Sequence, residues 1–324
     1  MNIVITGGAG FLGQRVLAAL LQQPGLPGAD GSVQPVETFI VLDQVAGQIA
    51  DARVRYVTGD ASDPALIAQV IDENVGGVFH LAAVVSGQAE ADFDLGMRVN
   101  LDATRLLLER CRKLRVPPKV VFTSSLAVFG GEVPDPVTDD TPIKPQTSYG
   151  TQKAIGEFLV YDMTRKRYID GRSLRLPTVT VRPGKPNRAA SSFASGIIRE
   201  PISGVDGICP VSPGTRMWVQ SPRAVVQNLI VGHEAKASQF RDSRSINVPG
   251  LCVGVGDMVD ALRDVAGQEV AARVKWQLDP AVDRIVQTWP ANFAPKLGPA
   301  LGMRGDRDFR SIVQAYLEDD DARK

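Results

Sequence analysis

Thr6-Gly7-Gly8-Ala9-Gly10-Phe11-Leu12-Gly13 is the stretch on which the fold turns. It follows directly on Asn2-Ile3-Val4-Ile5, a short β-branched run, and it opens a helical pattern from Phe11 to Gln23. A strand, a glycine-rich turn and a helix in that order form a cradle for a pyrophosphate. Gly7 permits the tight turn, Gly10 lets the phosphates approach the backbone, and Gly13 allows the helix to pack close to the strand. The helix N-terminus then offers unpaired N–H groups and a partial positive charge, so Phe11 and Leu12 join the three glycines as candidate dinucleotide contacts. A glycine triplet alone is a weak signal; the flanking strand and helix give it weight.

Outward from that turn, the first half of the chain alternates apolar runs with longer helical patterns. Strands are expected at Asn2 to Thr6, Thr38 to Leu42, Arg53 to Val57, Gly77 to Leu81, Lys119 to Thr123 and Ser173 to Leu176. Most are continuous apolar runs, as strands buried on both faces are. Helices are expected at Phe11 to Gln23, Pro64 to Asn74, Phe93 to Leu114 and Ser148 to Tyr168. The alternation predicts an α/β fold, a doubly wound parallel sheet of the Rossmann kind over residues 1–181 that carries both the dinucleotide and the reacting groups. Pro24 to Glu37 reads as a surface loop. After Val181, Pro and Gly recur, which predicts a smaller, loop-rich substrate-binding region over 182–324. Within it a helix is expected at Pro222 to Ala237, a strand near Ser245 to Val248, and helices at Val255 to Ala266 and Asp308 to Leu317.

Composition narrows the function. The 324 residues carry 36 Lys plus Arg against 36 Asp plus Glu, so the long-range field that draws a protein onto nucleic acid or an anionic membrane is missing. Three cysteines without C-x-x-C spacing fit reduced thiols, and two histidines make metal chemistry an unpromising reading. The opening Met1-Asn2-Ile3-Val4-Ile5 is too soon interrupted by glycine for a signal peptide or membrane span, so a cytoplasmic enzyme with a small-molecule substrate is expected.

Asp43 ends the second strand, where a carboxylate accepts both adenosine-ribose hydroxyls and repels a 2′-phosphate; this favours NAD over NADP. A strand-end Asp is also an ordinary turn residue. Asp60, after the third strand, is a candidate contact to the adenine or else a helix cap. In Tyr149-Gly150-Thr151-Gln152-Lys153 the four-residue spacing puts a phenol and an ammonium on one helical face. Making a Tyr a base near neutral pH takes about 4 kcal/mol, which neighbouring cations supply by favouring the phenolate. Thr123-Ser124-Ser125, at the end of the fifth strand, offers a hydroxyl for the reacting oxygen.

The glycine turn, His80-Leu81-Ala82-Ala83, Asn100, Thr123-Ser124-Ser125 with Val128-Phe129-Gly130, Tyr149-x-x-x-Lys153 and Leu174-Arg175-Leu176-Pro177-Thr178 occur in telling order and spacing. Together they resemble the extended short-chain dehydrogenases/reductases, the NAD-dependent epimerase/dehydratase superfamily, closely up to about residue 185. The resemblance implies NAD as cofactor and Tyr149 as catalytic acid/base. It implies that Lys153 holds the nicotinamide ribose and depresses the Tyr149 pKa, while Ser125 orients the substrate oxygen. It further implies that Leu81, Ala82 and Ala83 line the cofactor cleft, that Asn100 organises the site, and that Pro177, Thr178 and Val179 lie against the nicotinamide. His80 is implied to be a packing position beneath the cofactor.

Departures from the family pattern narrow the chemistry. Leu126-Ala127 stand where dehydratases of the family carry an Asp-Glu pair, so elimination of water lacks its acid and base. Thr178 replaces the Asn usual in nucleotide-sugar epimerases. The stretch from Leu174 to Phe193 instead resembles the branch that oxidises D-erythronate, a four-carbon sugar acid, with NAD. A small carboxylate needs a fixed cation, and a guanidinium binds it bidentately. Arg188 is the candidate, with Arg182 and Arg199 as rivals; Ser86, Ser125, Tyr149 and Thr178 are the remaining expected substrate contacts. The expected reaction is oxidation of the sugar acid at C2, and the alternative is a nucleotide-sugar 4-epimerase with tightly bound NAD. Pairing of the long helices near Phe93 to Leu114 and Ser148 to Tyr168, frequent in this family, implies a homodimer.

Overall fold

Seven strands lie side by side in the order Ser245–Asn247, Asp170–Leu176, Lys119–Ser125, Val75–His80, Asn2–Thr6, Thr38–Asp43, Val54–Thr58. The computed structural model describes residues 1–184, 189–240 and 242–319. Every neighbouring pair in this sheet runs parallel. From Asn2–Thr6 the chain moves to one edge and then reverses toward the other. That reversal leaves a crevice outside the carboxyl ends of Asn2–Thr6 and Val75–His80, where ligands of doubly wound sheets bind.

Alternate residues of each strand serve opposite faces. Ile3 and Ile5 pack with Val16, Leu17, Val225 and Leu229, beneath the helices Phe11–Leu21 and Pro222–Glu234. Val4, between them, packs with Val70, Leu107, Val120 and Val160 beneath Pro64–Val70, Ala103–Cys111 and Ser148–Arg165. Both faces are covered, which is why these strands read as unbroken apolar runs.

Several elements differ from the sequence expectation, three of them instructively. Phe93 to Leu114 is not one regular helix: Phe93–Gly96 leads into a π-helical segment, Met97–Asp102, before Ala103–Cys111. Pro24 to Glu37 contains a small antiparallel pair, Leu26–Pro27 with Val33–Gln34, and Leu26 is fully buried in the core. The helix Phe193–Ile202 escaped notice because Pro201 stands in its last turn amid a Pro/Gly-rich neighbourhood.

Beyond Val181 the chain contributes to three hydrophobic clusters. Phe193–Ile202, Val255–Ala266 and Phe309–Glu318 surround Ile197, Met258, Leu262 and Ile312. A three-stranded sheet, Leu251–Gly254, Arg216–Gln220, Thr178–Val179, joins this body to the segment that leaves the main sheet. Pro222–Glu234, started by Ser221 Oγ accepting from Ala224 N at 3.1 Å, returns to the large sheet, and Ser245–Asn247 adds its edge strand. Among the described residues no helix is long and apolar enough to cross a membrane.

Candidate active site

The glycine turn is built by close approach. Gly7 has φ +68°, and a Cβ there would lie 2.7 Å from Ala82 N. A Cβ on Gly13 would lie 2.3 Å from Gly7 O, so the first helix seats on the turn itself. Gly10 is the N-cap of that helix, whose first N–H groups receive no side-chain cap and have no acidic neighbour in the first turn. Asp43 closes the same cradle: its Oδ2 accepts from Ala9 N at 3.0 Å and its Oδ1 from Gln44 N at 2.7 Å. Open helix N–H groups beside a strand-end carboxylate fit the pyrophosphate and ribose of NAD. Leu81 N donates to Thr6 O at 3.1 Å and Ala82 N to Thr6 Oγ1 at 3.3 Å, which sets Leu81-Ala82-Ala83 against the turn. Phe11 and Leu12 are half-buried at the helix start.

Asp60 accepts from Ser62 N at 2.8 Å and forms an ion pair with Arg98. The cap of the following helix is Asp63, which accepts from Ala65 N at 2.8 Å. His80 is buried, with Nδ1 hydrogen-bonded to Thr6 Oγ1 at 2.6 Å and Nε2 to Thr104 Oγ1 at 2.8 Å. Burial and the Lys153 charge pull its pKa to about 3, so it is a neutral connector beneath the cleft.

The candidate reacting groups, Ser125 and Tyr149, stand where Lys119–Ser125 ends and Ser148–Arg165 begins. Thr147 caps the helix, its Oγ1 accepting from Gly150 N at 3.0 Å. A Cβ on Gly150 would lie 2.1 Å from Ala127 O, so the residue after Tyr149 must be small for the helix to dock on the turn that follows Ser125. Burial raises the Tyr149 phenol above its ordinary value, while the Arg182 charge and a hydrogen bond with Ser125 lower it. Lys153 Nζ donates to Thr123 O at 2.8 Å and lies 5.7 Å from the Tyr149 ring centroid. Burial drops its pKa to about 7, against the opposing pull of Glu157.

Behind this pair lies a network the sequence reading missed. Glu157 is buried, accepts from Ser124 Oγ at 2.5 Å, and meets Arg175 through Nη2 at 2.7 Å and Nε at 3.0 Å. Glu157 stands four residues after Lys153, and that spacing was the available signal. Asn100 Oδ1 accepts from Val84 N at 2.9 Å and its Nδ2 donates to Gln152 Oε1 at 2.8 Å, tying the loop after Val75–His80 to the Tyr149 helix. Asn100 sits in the π-helical segment, a common device at functional sites.

A cavity of about 450 Å³ opens over these groups, lined by Ser86, Ser125, Tyr149, Pro177, Thr178 and Arg182 among others. Trp218, Arg216 and Trp289 also face it, and none of the three was anticipated. Val179 turns its side chain into the core and does not line the cavity; its carbonyl accepts from Arg182 Nε at 3.1 Å. Arg199 is engaged elsewhere, with Glu200 at 2.5 Å and the Arg182 carbonyl at 2.8 Å. Arg188 lies outside the described residues.

The chain is similar to known proteins over its full length. The sequence profile of the NAD dependent epimerase/dehydratase family matches residues 3–215. The chain is 57% identical over 320 residues to D-erythronate dehydrogenase of Cupriavidus necator, covering 98% of each protein. It is 42% identical to D-erythronate dehydrogenase of Haemophilus influenzae, covering 99% of this chain and 100% of that one. The solved structure of a nucleoside-diphosphate-sugar epimerase from Agrobacterium tumefaciens superimposes with a TM-score of 0.92 at 39% identity, over 98% of this chain and 94% of that one. The chain belongs to the NAD dependent epimerase/dehydratase family, as an oxidoreductase related over its full length to dehydrogenases.

Proposed function

We propose that the protein oxidises a small sugar acid with NAD, D-erythronate to 2-oxo-D-erythronate, in the cytoplasm. The observation that carries this reading is the meeting of Ser125, Tyr149 and an arginine in one small cavity beside the dinucleotide cradle. The full-length relationship to two D-erythronate dehydrogenases supports the choice of substrate. NAD, when bound along the Gly7 to Gly13 turn and Asp43, supplies the hydride acceptor. Tyr149 Oη, as phenolate, takes the proton of the substrate hydroxyl, so that the alcohol loses a proton and a hydride and becomes a carbonyl. Ser125 Oγ holds the same oxygen. Lys153, anchored on Thr123 O, holds the ribose of the cofactor and adds its charge once protonated. Asn100 fixes Gln152 and hence the helix that presents Tyr149. Leu126 and Ala127 line the cavity without offering an acid or base, which argues against dehydration.

Tyr149→Phe is expected to lower turnover about a thousandfold while NAD binding, followed by calorimetry, stays within twofold. Turnover of Tyr149→Phe within tenfold of wild type would overturn the role. The name of the Agrobacterium relative keeps the 4-epimerase as the second reading. Net NADH accumulation from D-erythronate separates the two, because an epimerase regenerates its cofactor in each turnover. A homodimer belongs to this reading as well. Ile155, Phe158 and Tyr161 are exposed on the outer side of Ser148–Arg165, with Phe158 62% exposed, as a helix that packs against a second copy would require.

A further inference from the structure

We infer that Arg182 makes this a site for acids: its guanidinium holds the substrate carboxylate and thereby selects the adjacent C2 hydroxyl for oxidation. The inference rests on the dehydrogenase reading above and assigns its specificity. Three charged side chains, Glu90, Arg182 and Arg216, are among those lining the cavity. Arg216 is paired with Asp135 at 2.7 Å, and Glu90 accepts from Ser148 N at 2.9 Å. Arg182 differs from both. No carboxylate among the described residues lies within ion-pairing distance of it.

Its placement is nonetheless fixed. Arg182 N donates to Ser195 Oγ at 3.0 Å, its carbonyl accepts from Arg199 Nη1 at 2.8 Å, and its Nε donates to Val179 O at 3.1 Å. The held Nε orients the planar group and leaves the two terminal amino groups as a fork for a carboxylate. A charge in a half-buried, largely apolar cavity is costly when unpaired, and an anionic ligand removes that cost. Arg199, a rival candidate on sequence grounds, instead helps to hold the Arg182 backbone, with Ser195.

Geometry also sets the position of oxidation. Arg182 lines the same cavity of about 450 Å³ as Tyr149 and Ser125. In a 2-hydroxy acid the reacting carbon is bonded directly to the carboxylate carbon. Gripping the acid therefore brings the C2 hydroxyl, rather than C3 or C4, to Tyr149 and Ser125.

The test compares wild type, Arg182→Gln and Arg182→Lys on D-erythronate and on erythritol, the neutral tetritol, with D-erythronate binding to the NADH-loaded enzyme measured by calorimetry. Arg182→Gln is expected to lower kcat/KM for the acid by a hundredfold or more, on the order found when one partner of a charge pair is truncated. Activity on erythritol is expected to fall as well, by about tenfold at most, because the Arg182 charge also favours the Tyr149 phenolate, so the loss specific to the acid is read as the ratio of the two. NADH affinity is expected to be unchanged as the check on folding, and Arg182→Lys to recover part of the loss. Equal losses on the acid and the tetritol, or acid kinetics within twofold of wild type, overturn the assignment. Wild-type enzyme that yields no NADH from D-erythronate, yet binds it only when Arg182 is intact, overturns the dehydrogenase reading and sustains the assignment of Arg182.

Discussion

Gly13 illustrates how tightly single residues are drawn in the cofactor half. With Gly7 O only 2.3 Å from where its Cβ would stand, Gly13→Ala forces the turn apart. Overpacking of this kind costs about 1–3 kcal/mol, so a melting temperature lower by a few degrees and weaker NAD binding are expected, measured by thermal unfolding and calorimetry. The placement of Gly7 and Gly13 on the turn, and of Tyr149 and Lys153 on one helix, is legible in sequence because each pair is set by local spacing. The arginines are not. Arg182, Arg188 and Arg199 look alike on the page. What separates Arg199 from Arg182 is that its guanidinium meets Glu200 and a backbone carbonyl 17 positions away. Arg216 is likewise neutralised by Asp135, 81 positions distant. Availability of a charge depends on partners that only the fold supplies.

At the scale of elements, the Tyr149 helix is held from behind by a buried ion pair. Glu157→Gln leaves Arg175 without its charge partner in a site where Arg175 also lies 4.9 Å over the Phe129 ring. Removing one member of a buried pair costs about 3–5 kcal/mol, and a drop of that size in chemical denaturation is expected. The double replacement Glu157→Leu with Arg175→Met is expected to recover much of it; a Glu157→Gln variant as stable as wild type contradicts the account. Element identity was legible wherever an apolar run met a turn signal, as at Lys119–Ser125 and Val255–Ala266. The break in the helix near Asn100 was not, because the π-helical segment is stabilised by bonds to Val84 and Gln152 rather than by any local signal. The strand Ser245–Asn247 could be read as a strand, but its partner, Asp170–Leu176, could not, since the pairing closes a loop of many residues.

At the scale of the whole molecule, buried bases set the response to pH. The folded protein holds His80 with a pKa of about 3, whereas an unfolded chain's histidine titrates near 6.5. Between those values the unfolded chain binds more protons, so stability rises with pH and is lost as pH falls from about 6.5 to about 3. His233, depressed by burial and by the charges of Arg172 and Lys119, acts in the same sense. Lys153, depressed to about 7, extends the trend between about 7 and 10.5, where only the unfolded chain remains protonated. Thermal melts of the cofactor-free protein at constant ionic strength are expected to rise from mildly acid to mildly alkaline pH; a flat profile contradicts neutral burial. Assembly has its own test. If the proposed dimer pairs through the exposed apolar stripe of Ser148–Arg165, wild type is expected to scatter light as a dimer and Phe158→Glu, which places a charge there, as a monomer; a monomeric wild type overturns the proposal. The edge strand Ser245–Asn247 has a consequence for synthesis. The cofactor sheet stays open on its Ser173–Arg175 side until the ribosome has made residue 247, and the face that Val225 and Leu229 cover waits nearly as long. A nascent or truncated chain ending near Val181 would display an unpaired strand beside an uncovered apolar face, a template for aggregation. Such a fragment is expected to be insoluble, so the cofactor half, for all that its motifs announce it early, reaches its native form only with the rest of the chain.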